Sequence, residues 1–399
     1  MNVNIKKLFS IASKSERQII GLMSGTSMDG LDIAWCSCSG SGTSSRIKIQ
    51  NFTTVPFSSE FKEEIKSVFS RRDADLQKVC LLNEQIAITH AEMILDTLKE
   101  WNVSPSDFDL IASHGQTIFH APKQLHGLEN YPNATLQIAD GDHIAVKTGI
   151  ITICDFRQKH LAAGGEGAPL AVYGDYLIFS KEGENRIMLN IGGISNFTYL
   201  PADLDASNIF STDIGPGNTM MDQFIQKHYP GMYYDEDSKL ARTGKVNFGL
   251  LASLLDHEFL RAGFPKSTGP ELFNLQYLEN AMEKSVQPHL PNEDILATLC
   301  KFSADCIVKS ILESFSEKDS PVIYMSGGGM HNPLMVEHLK NGVPFARFAN
   351  TEELNINPDA KEAALFAILA NETVAGGPID FGGRLQVPSV CMGKICLPN

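Results

Sequence analysis

The chain has no excess of basic over acidic residues, and this limits the kinds of molecule that it is expected to bind. Among its 399 residues, 33 are lysine or arginine and 47 are aspartate or glutamate, which gives a formal net charge of −14 at pH 7. Proteins that bind nucleic acids neutralise backbone phosphates with basic side chains. The charge therefore argues against a nucleic-acid partner. It still permits a small anionic ligand that is held by local donors or by a metal ion.

Four other sequence features are missing. The eight cysteines include no CxxC pair, which favours reduced thiols in a cytoplasmic protein over a disulfide framework or a zinc site. No apolar run reaches membrane-spanning length, and residues 1–18 contain no apolar core of the kind found in signal peptides. No GxxxxGK[ST] motif occurs, which argues against a Walker-type NTPase. We expect a cytoplasmic protein with no membrane partner.

The order of predicted elements occurs twice along the chain. Apolar runs predict strands, and apolar residues spaced by three and four predict helices, such as one over residues 76–101 with Leu81 and Leu98 on its buried face. Each half has the order β-β-β-α-β-α-β, and the second half carries an insertion near residues 229–290 and a further helix. A chain of this length exceeds one ordinary core. We therefore expect two similar domains, residues 1–155 with 373–399 and residues 156–372, on either side of a central cleft.

Glycine-rich turns occupy corresponding places in the two halves: "SGTSMDG" corresponds to "NIGGISN", and "SHGQT" to "SGGGMHN". Phosphate groups need close approach to backbone N–H groups, which side chains obstruct. The turns therefore predict a nucleotide clamp. Its predicted residues are Gly25, Thr26, Ser27, Met28, Asp29, Gly30, Leu31 and Asp32 in the first half, and Gly192, Gly193, Asp213, Gly215, Gly217, Asn218, Gly327, Gly328 and Gly329 in the second.

Three aspartates accompany these turns. Asp29, Asp32 and Asp213 cannot hold phosphate directly, but carboxylates are hard oxygen ligands that suit Mg²⁺, directly or through its waters. The alternative is a solvated turn in which aspartate is a turn former. "DIGPGNTMMD" places Asp213 and two glycines before a helix predicted from Thr219, and a helix N-terminus favours anions. For this segment the alternative is a tight turn with an N-cap. Together, the turns favour a split nucleotide site.

Eight motifs follow one another along nearly the whole chain from about Ile19: "GLMSGTSMDGLDIA", "SHGQTIFH", "CDFRQKHLAAGGEGAPLA", "NIGGISNF", "DIGPGNTMMD", "FPKSTGPELF", "SGGGMHNP" and "DAKEAALFAILA". In this order they resemble the anhydro-N-acetylmuramic acid kinase family. The resemblance implies an α/β fold of the actin/sugar-kinase/Hsp70 type, duplicated and RNase H-like, with MgATP as phosphoryl donor. It also implies that 1,6-anhydro-N-acetylmuramic acid from peptidoglycan turnover is hydrolysed and phosphorylated on O6 in one reaction.

This reaction needs a base to activate water at the anomeric carbon. The family resemblance implies an aspartate base in a DFRxxD pattern, but here His160 stands at that place and Glu166 follows six residues later. Three hypotheses remain. His160 is the base, since an unperturbed imidazole has a pKa of about 6.5. Alternatively, Glu166 is the base and His160 orients it. In the third, neither serves, and the reaction or the substrate differs.

The expected sugar-binding residues are His114, Asp155, Arg157 and Glu362. The Arg157 fork suits the lactyl carboxylate of a muramic acid, although a structural salt bridge to Asp155 or another acid is an alternative. Glu362 matches a family position that reaches toward the sugar, and its alternative is a solvated helix face. His114, His120 and His126 fit no helix or strand period, so we expect no metal site there. "FPKSTG" resembles the family's substrate-side loop.

Two other functions remain open. One is another sugar or hexosamine kinase of the same fold, which would also need a base. The other is a non-kinase, ATP-hydrolysing actin-like protein, which predicts a partner-binding appendage that the chain does not show. A homodimer is the default expectation for the oligomeric state.

Overall fold

A computed structural model describes residues 1–25, 28–285, 289–354, 356–384 and 387–399. The chain divides into two compact units. Unit 1 comprises Met1–Ser180, Ala206–Asn208 and Asn355–Asn399, and unit 2 comprises Lys181–Asp205 and Ile209–Leu354. None of the helices in the described part of the chain combines the length and the apolar character needed to cross a bilayer.

The strands are numbered along the chain. They are β1 Glu16–Ser24, β2 Gly30–Ser39, β3 Arg46–Pro56, β4 Leu110–Ala121, β5 Ala134–Ile138, β6 Ile151–Cys154, β7 Arg186–Ile191, β8 Ile194–Leu200, β9 Phe210–Pro216, β10 Val322–Ser326, β11 Arg347–Asn350 and β12 Lys394–Cys396.

The helices are numbered in the same way. They are α1 Val3–Ala12, α2 Ser59–Lys66, α3 Leu76–Glu100, α4 Lys123–His126, α5 Gly141–Thr148, α6 Phe156–Ala162, α7 Ala171–Phe179, α8 Thr219–His228, α9 Phe248–Leu255, α10 Glu258–Arg261, α11 Leu275–Lys284, α12 Asn292–Ser314, α13 Pro333–Gly342 and α14 Lys361–Ala375.

Each unit contains one mixed sheet. In unit 1 the strand order is β12-β6-β4-β1-β2-β3, with β5 paired to β4, and in unit 2 it is β11-β10-β7-β8-β9. The first three strands of each unit form an antiparallel meander. A further strand pairs in parallel with the first strand of the meander, β4 with β1 and β10 with β7. Another strand pairs in parallel with that one, β6 with β4 and β11 with β10. Without β5 and β12, the two sheets have the same order and the same directions. The predicted duplicated α/β fold is thus confirmed.

The central strand of unit 1 shows why the sequence folds in this way. β1 is apolar along most of its length and buried on both faces, as expected of a strand with neighbours on both sides. Gly21 lies opposite Ala34 of β2 and Ala112 of β4. A Cβ atom on Gly21 would lie 2.0 Å from the carbonyl oxygen of Ala363, so only glycine permits this close approach of α14.

The compact units divide the chain at positions that differ from the predicted boundaries at 155 and 372. The segments 156–180 and 356–372, expected in the second domain, belong to unit 1. There α14 lies against β1 at Gly21, and Lys361 of α14 forms an ion pair of 2.8 Å with the buried Asp175 of α7. These contacts are remote in sequence, so the local pattern contained no sign of them.

Candidate functional site

The three glycine turns of unit 2 lie together. Gly217 N donates to Gly193 O at 2.8 Å, and Asn218 N donates to Gly192 O at 2.8 Å. A Cβ atom on Gly217 would lie only 2.2 Å from the oxygen of Gly192, so the β7–β8 turn and the β9–α8 turn touch through bare backbone.

The turn after β10 joins this cluster. Gly327 has a φ of +82°, and a Cβ atom there would lie 2.7 Å from the Oδ1 of Asn190. A Cβ atom on Gly329 would lie 2.2 Å from the Cγ2 of Ile191. In contrast, Cβ atoms on Gly193 and Gly328 would meet their nearest neighbours at 3.6 Å and 3.5 Å. The cluster therefore has tightly packed glycines and also three glycines, Gly192, Gly193 and Gly328, where a Cβ atom would make only ordinary van der Waals contacts.

The N-terminus of α8 offers fewer donors than the sequence suggested. Thr219 N donates to Gly193 O at 3.2 Å, so the N–H groups of Gly217, Asn218 and Thr219 are all used within the cluster. Gly215 is buried within β9, where it packs against Cys306. These contacts make the β9–α8 segment a scaffold for the other two turns.

Asp213 of β9 is held by the loop that contains the "FPKSTG" motif. Its Oδ2 accepts hydrogen bonds from Ser267 Oγ at 3.0 Å and from Thr268 N at 2.9 Å, and its own N–H donates to Lys266 O at 3.0 Å. Lys266 is anchored in turn, because its Nζ donates to Phe259 O at 2.9 Å. The carboxylate of Asp213 is therefore fixed in orientation.

The β1–β2 turn of unit 1 is partly described, and Thr26 and Ser27 lie outside the described residues. Met28 has a φ of +57° and donates from its N–H to Gly25 O at 3.2 Å. The side chains of Met28 and Leu31 are buried in the core. Consequently these two predicted nucleotide-binding residues can offer a ligand only their backbone.

The remaining positions of this turn differ in exposure. A Cβ atom on Gly30 would lie 2.3 Å from Val55 O, so this glycine serves the close pairing of β2 with β3. Asp29 is exposed, and its carbonyl accepts from Phe57 N at 3.2 Å. Asp32 is half-buried, and its Oδ1 accepts from Thr54 Oγ1 at 2.6 Å.

Acidic side chains of unit 1 crowd around Asp32. Burial and the negative charge of Asp359 raise the pKa of Asp32 against the opposing hydrogen bond from Thr54. Burial and the charge of Asp32 raise the pKa of Glu362. These carboxylates thus repel one another, and a cation would relieve the repulsion. In the described ranges, however, no three His, Cys, Asp or Glu side chains are arranged to hold a metal ion directly.

Three of the four predicted sugar-binding residues interact within unit 1. Arg157 Nε donates to His114 Nε2 at 2.9 Å, and Arg157 Nη1 donates to Gly167 O at 2.7 Å. Burial lowers the pKa of Arg157 to about 10, while the charge of Glu362 acts in the opposite direction. Burial and the Arg157 charge lower the pKa of His114 to about 3, so this histidine is neutral. The group therefore presents a fixed guanidinium.

The fourth predicted sugar-binding residue faces elsewhere. Asp155 adopts a left-handed conformation with a φ of 55°, and its carboxylate pairs with Lys394 of β12. The ion pair that the sequence suggested between Asp155 and Arg157 is therefore replaced by two separate sets of contacts. Asp155 fastens the C-terminal strand β12 to the segment that follows β6.

His160 lies inside the protein. Its side chain is 0% exposed, its Nδ1 accepts from Gly167 N at 3.0 Å, and its ring meets that of Tyr173 edge-on at 5.8 Å. A Cβ atom on Gly165 would lie 2.2 Å from the ring. His160 thus shapes the loop of residues 164–167, and its Nδ1 lone pair is already used.

Glu166 lies in the loop that His160 shapes. The loop is also held by Asn133, whose Nδ2 donates to Gly165 O at 3.2 Å, and by Arg157 at Gly167 O. Glu166 is partly exposed, and its charge raises the pKa of His120 against the stronger lowering by burial. His160 thus helps to fix the loop that carries Glu166.

The sequence interpretation missed two residues that contact a predicted site residue. Ser267 and Thr268 hold Asp213 across more than fifty positions of the chain. The available signal was the pair of hydroxyl residues in "FPKSTG". Nothing local linked that pair to a particular carboxylate.

Comparison with known protein families identifies the family of the chain. The family model "AnmK: Anhydro-N-acetylmuramic acid kinase" matches residues 17–383. The chain belongs to the anhydro-N-acetylmuramic acid kinase family. The predicted enzyme class is thereby confirmed: a phosphotransferase that acts on a sugar hydroxyl, with ATP as the phosphoryl donor, in amino-sugar metabolism and cell-wall recycling. The actin-like and other sugar-kinase alternatives are not favoured.

Relatives match over the whole length of the chain. A protein named anhydro-N-acetylmuramic acid kinase from Pseudoalteromonas atlantica is 53% identical and covers 100% of both chains. One of the same name from Pseudoalteromonas translucida is 49% identical and covers 99% of both. One from Caldanaerobacter subterraneus subsp. tengcongensis is 37% identical and covers 98% of this chain and 100% of its own.

Solved structures show a more distant likeness. A hexokinase from Schistosoma mansoni complexed with glucose has a TM-score of 0.32 at 12% identity, covering 90% of this chain and 86% of its own. A ROK family protein from Streptococcus pneumoniae in complex with sucrose has a TM-score of 0.35 at 13% identity, covering 89% and 99%. At these scores the likeness carries no argument about the site.

Proposed function

We propose that this protein uses MgATP to open the 1,6-anhydro ring of 1,6-anhydro-N-acetylmuramic acid and to phosphorylate O6, giving N-acetylmuramic acid 6-phosphate during peptidoglycan recycling. One observation carries the proposal: relatives with that kinase name match the entire chain at 37–53% identity. The test is incubation with ATP, Mg²⁺ and the anhydro sugar, followed by mass spectrometry of the product. A phosphorylated sugar with an intact anhydro ring would contradict the proposal.

Backbone donors are the proposed contacts to the phosphates of ATP. In unit 2, Cβ atoms on Gly193 and Gly328 would make only ordinary van der Waals contacts, and these glycines are the proposed places where a phosphate or ribose approaches the main chain. In unit 1, the turn that includes Gly25 and Asp29 is the proposed second contact. Phosphoryl transfer relies mainly on such positioning and on neutralisation of charge.

Magnesium is proposed at the acidic group of unit 1. Burial raises the pKa values of Asp32 and Glu362, with a further contribution from Asp359 to the first and from Asp32 to the second, and this carboxylate set fits a hard cation. Because the described residues offer no direct three-ligand site, we assign Asp29 and Asp32 to hydrogen bonds with the waters of the ion. When bound, Mg²⁺ would neutralise charge on the phosphates.

The sugar is proposed to contact Arg157 and its neighbours. The guanidinium is fixed by His114 Nε2 and Gly167 O, so its geometry is set before the substrate arrives. A carboxylate is the natural partner of such a fork. The lactyl group of a muramic acid supplies one. Glu362, which interacts electrostatically with Arg157, is the proposed acceptor for a sugar hydroxyl.

We assign the base to Asp213 rather than to His160, and Glu166 is the alternative base. His160 is fully buried and already accepts a hydrogen bond. Asp213 has one oxygen fixed by Ser267 and Thr268, which orients the other oxygen to accept a proton from water. The water oxygen then bonds to C1 as the C1–O6 bond breaks, and O6 attacks the γ-phosphorus of ATP with loss of ADP.

Two variants separate the candidate bases. Asp213→Asn should lower kcat by roughly 10²–10⁴-fold with an unchanged KM for ATP, because only proton abstraction is lost. Glu166→Gln should leave kcat within a few-fold of the wild type. A large loss for Glu166→Gln beside a mild loss for Asp213→Asn would transfer the role to Glu166.

Location and assembly complete the proposal. ATP-dependent recycling requires the nucleotide pool of the cytoplasm, and closed dimers are the commonest assemblies. We therefore propose a cytoplasmic homodimer with a small amino sugar as its substrate. Light scattering on the purified full chain should give twice the monomer mass of 43.7 kDa, and a monomer mass at assay concentration would contradict the dimer.

A further inference from the structure

Two cysteines of unit 1 lie side by side on neighbouring strands. Cys154 ends β6 and Cys396 ends β12, and the antiparallel register pairs Lys394 with Cys154 and Cys396 with Thr152. Their Sγ atoms are 3.5 Å apart. Cys154 is buried and Cys396 is partly exposed. The two sulfurs therefore need little movement to bond, and one of them is accessible from solvent.

The surroundings favour ionisation of Cys154. A hydrogen bond with Cys396 lowers the pKa of Cys154, and the N–H of Gly141 acts in the same direction, against burial and the charges of Asp155 and Asp140. Gly141 is the first residue of α5, and a helix N-terminus stabilises a thiolate. A Cβ atom on Gly141 would lie 2.6 Å from one sulfur and 2.8 Å from the other. The absence of a side chain there gives the pair its space.

We propose that Cys154 and Cys396 form a peroxide-sensitive thiol pair that closes to a disulfide. Hydrogen peroxide oxidises the Cys154 sulfur to a sulfenic acid and releases one water. The Cys396 thiol then attacks that sulfur, the S–S bond forms, and the sulfenic oxygen leaves as a second water. Two electrons pass from the two sulfurs to the peroxide. A thiol reductant reverses the step.

The disulfide would constrain the segment that leads from Cys154 to Arg157, the proposed sugar-binding residue. Lys394, two residues before Cys396, already pairs with Asp155, and Asp155 precedes Arg157 by two residues. A covalent bond from β12 to the end of β6 would fasten this segment from a second point. Oxidation therefore adds a constraint beside the chain that leads to the proposed sugar-binding guanidinium.

The test is peptide mapping of the full-length protein after exposure to hydrogen peroxide and alkylation of the remaining thiols. Trypsin should release Thr148–Arg157 joined to Ile395–Asn399, and dithiothreitol should separate them. Cys154→Ser and Cys396→Ser should each abolish the joined peptide. Cys80→Ser, which removes an exposed cysteine, should leave it unchanged.

A second variant keeps both sulfurs. Gly141→Ala should slow formation of the joined peptide several-fold, because the added methyl displaces the sulfur atoms. The proposal is overturned if peroxide modifies Cys80 while Cys154 and Cys396 remain fully alkylatable. It is equally overturned if Cys154 proceeds to a sulfinic acid beside an intact Cys396 thiol in the wild type.

Discussion

Alanine at Gly193 or Gly328 should damage ATP binding without damaging the fold. A Cβ atom at Gly193 would meet its nearest protein atom, the Cβ of Thr219, at 3.6 Å. At Gly328 the nearest atom is the Nδ2 of Asn218 at 3.5 Å. Both distances are ordinary van der Waals contacts. The added methyl therefore fits the protein but occupies space that we assign to the nucleotide.

The magnitude follows from this difference. Neither glycine has a positive φ, so alanine should leave the free energy of unfolding within about 0.5 kcal/mol of the wild type, as for substitutions without strain. Loss of one close phosphate contact should raise the KM for ATP about tenfold, which corresponds to ~1.4 kcal/mol. The KM for the sugar should remain unchanged.

The assay combines steady-state kinetics with chemical denaturation. Gly263→Ala is the matched control, because a Cβ atom there would have no atom within 4 Å and the residue lies outside the glycine cluster. The reasoning is refuted if Gly193→Ala and Gly328→Ala both keep the wild-type KM for ATP. It is also refuted if their kinetic loss is matched by Gly263→Ala.

The remaining predictions concern other parts of the chain. Ser267→Ala should lower kcat about tenfold, because it removes one of the two hydrogen bonds to Asp213 Oδ2. This loss lies at the low end of the ~1.5–3 kcal/mol typical of hydrogen bonds to charged groups. Ser267→Thr should retain most of the activity, and equal rates for the two variants would contradict the positioning role. Burial lowers the pKa of His90 from 6.5 to about 3. As the pH falls, His90 therefore binds a proton in the unfolded chain before it does so in the folded protein. The contribution of His90 to the free energy of unfolding of unit 1 should therefore be fully present above about pH 6.5 and fall by about 1.4 kcal/mol per pH unit between pH 6.5 and its folded pKa of about 3. In urea titrations at several pH values, His90→Gln should reduce the change in free energy of unfolding per pH unit by that amount. An unchanged pH dependence would contradict the buried neutral state. Gly217→Ala should destabilise unit 2 by about 1–3 kcal/mol, since its Cβ would lie 2.2 Å from a carbonyl oxygen, and thermal melting equal to that of Gly263→Ala would contradict this.

Much of the fold could be predicted because its signals are local. The strands, the repeated element order and the glycine turns each depend on contiguous residues, and α3 begins at residue 76, as predicted. The convergence of the turns at 192–193, 217–218 and 327–329 followed from their corresponding places in the sheet. The family membership followed from the order of motifs.

It was harder to predict which side chains of a helix or turn point into the core. Of the two leucines expected on the buried face of α3, Leu98 is buried, but Leu81 is 60% exposed and its neighbour Leu82 is buried in its place. The apolar residues around this helix allow either neighbour to be buried, and tertiary packing selects one. Likewise, the core takes the side chain of Met28, although its position in a polar turn suggested contact with a ligand.

The roles of His160 and Asp213 depended on distant contacts. His160 is enclosed by Gly165, Gly167 and Tyr173, which a motif position cannot reveal. Asp213 was grouped with the magnesium-binding aspartates, but its hydrogen bonds come from a loop more than fifty residues away. Contacts between residues so far apart in sequence depend on the topology of the fold, and the spacing of residues within a motif does not indicate them.

The central claim is that ring hydrolysis and phosphorylation occur in one reaction. The most direct measurement is the reaction with MgATP and 1,6-anhydro-N-acetylmuramic acid in ¹⁸O-labelled water, with fragmentation of the product in the mass spectrometer. We expect one labelled oxygen, located at C1, and unlabelled oxygen at O6 and in the phosphate. A phosphorylated product without label at C1, or with the label in its phosphate, would contradict the coupled reaction.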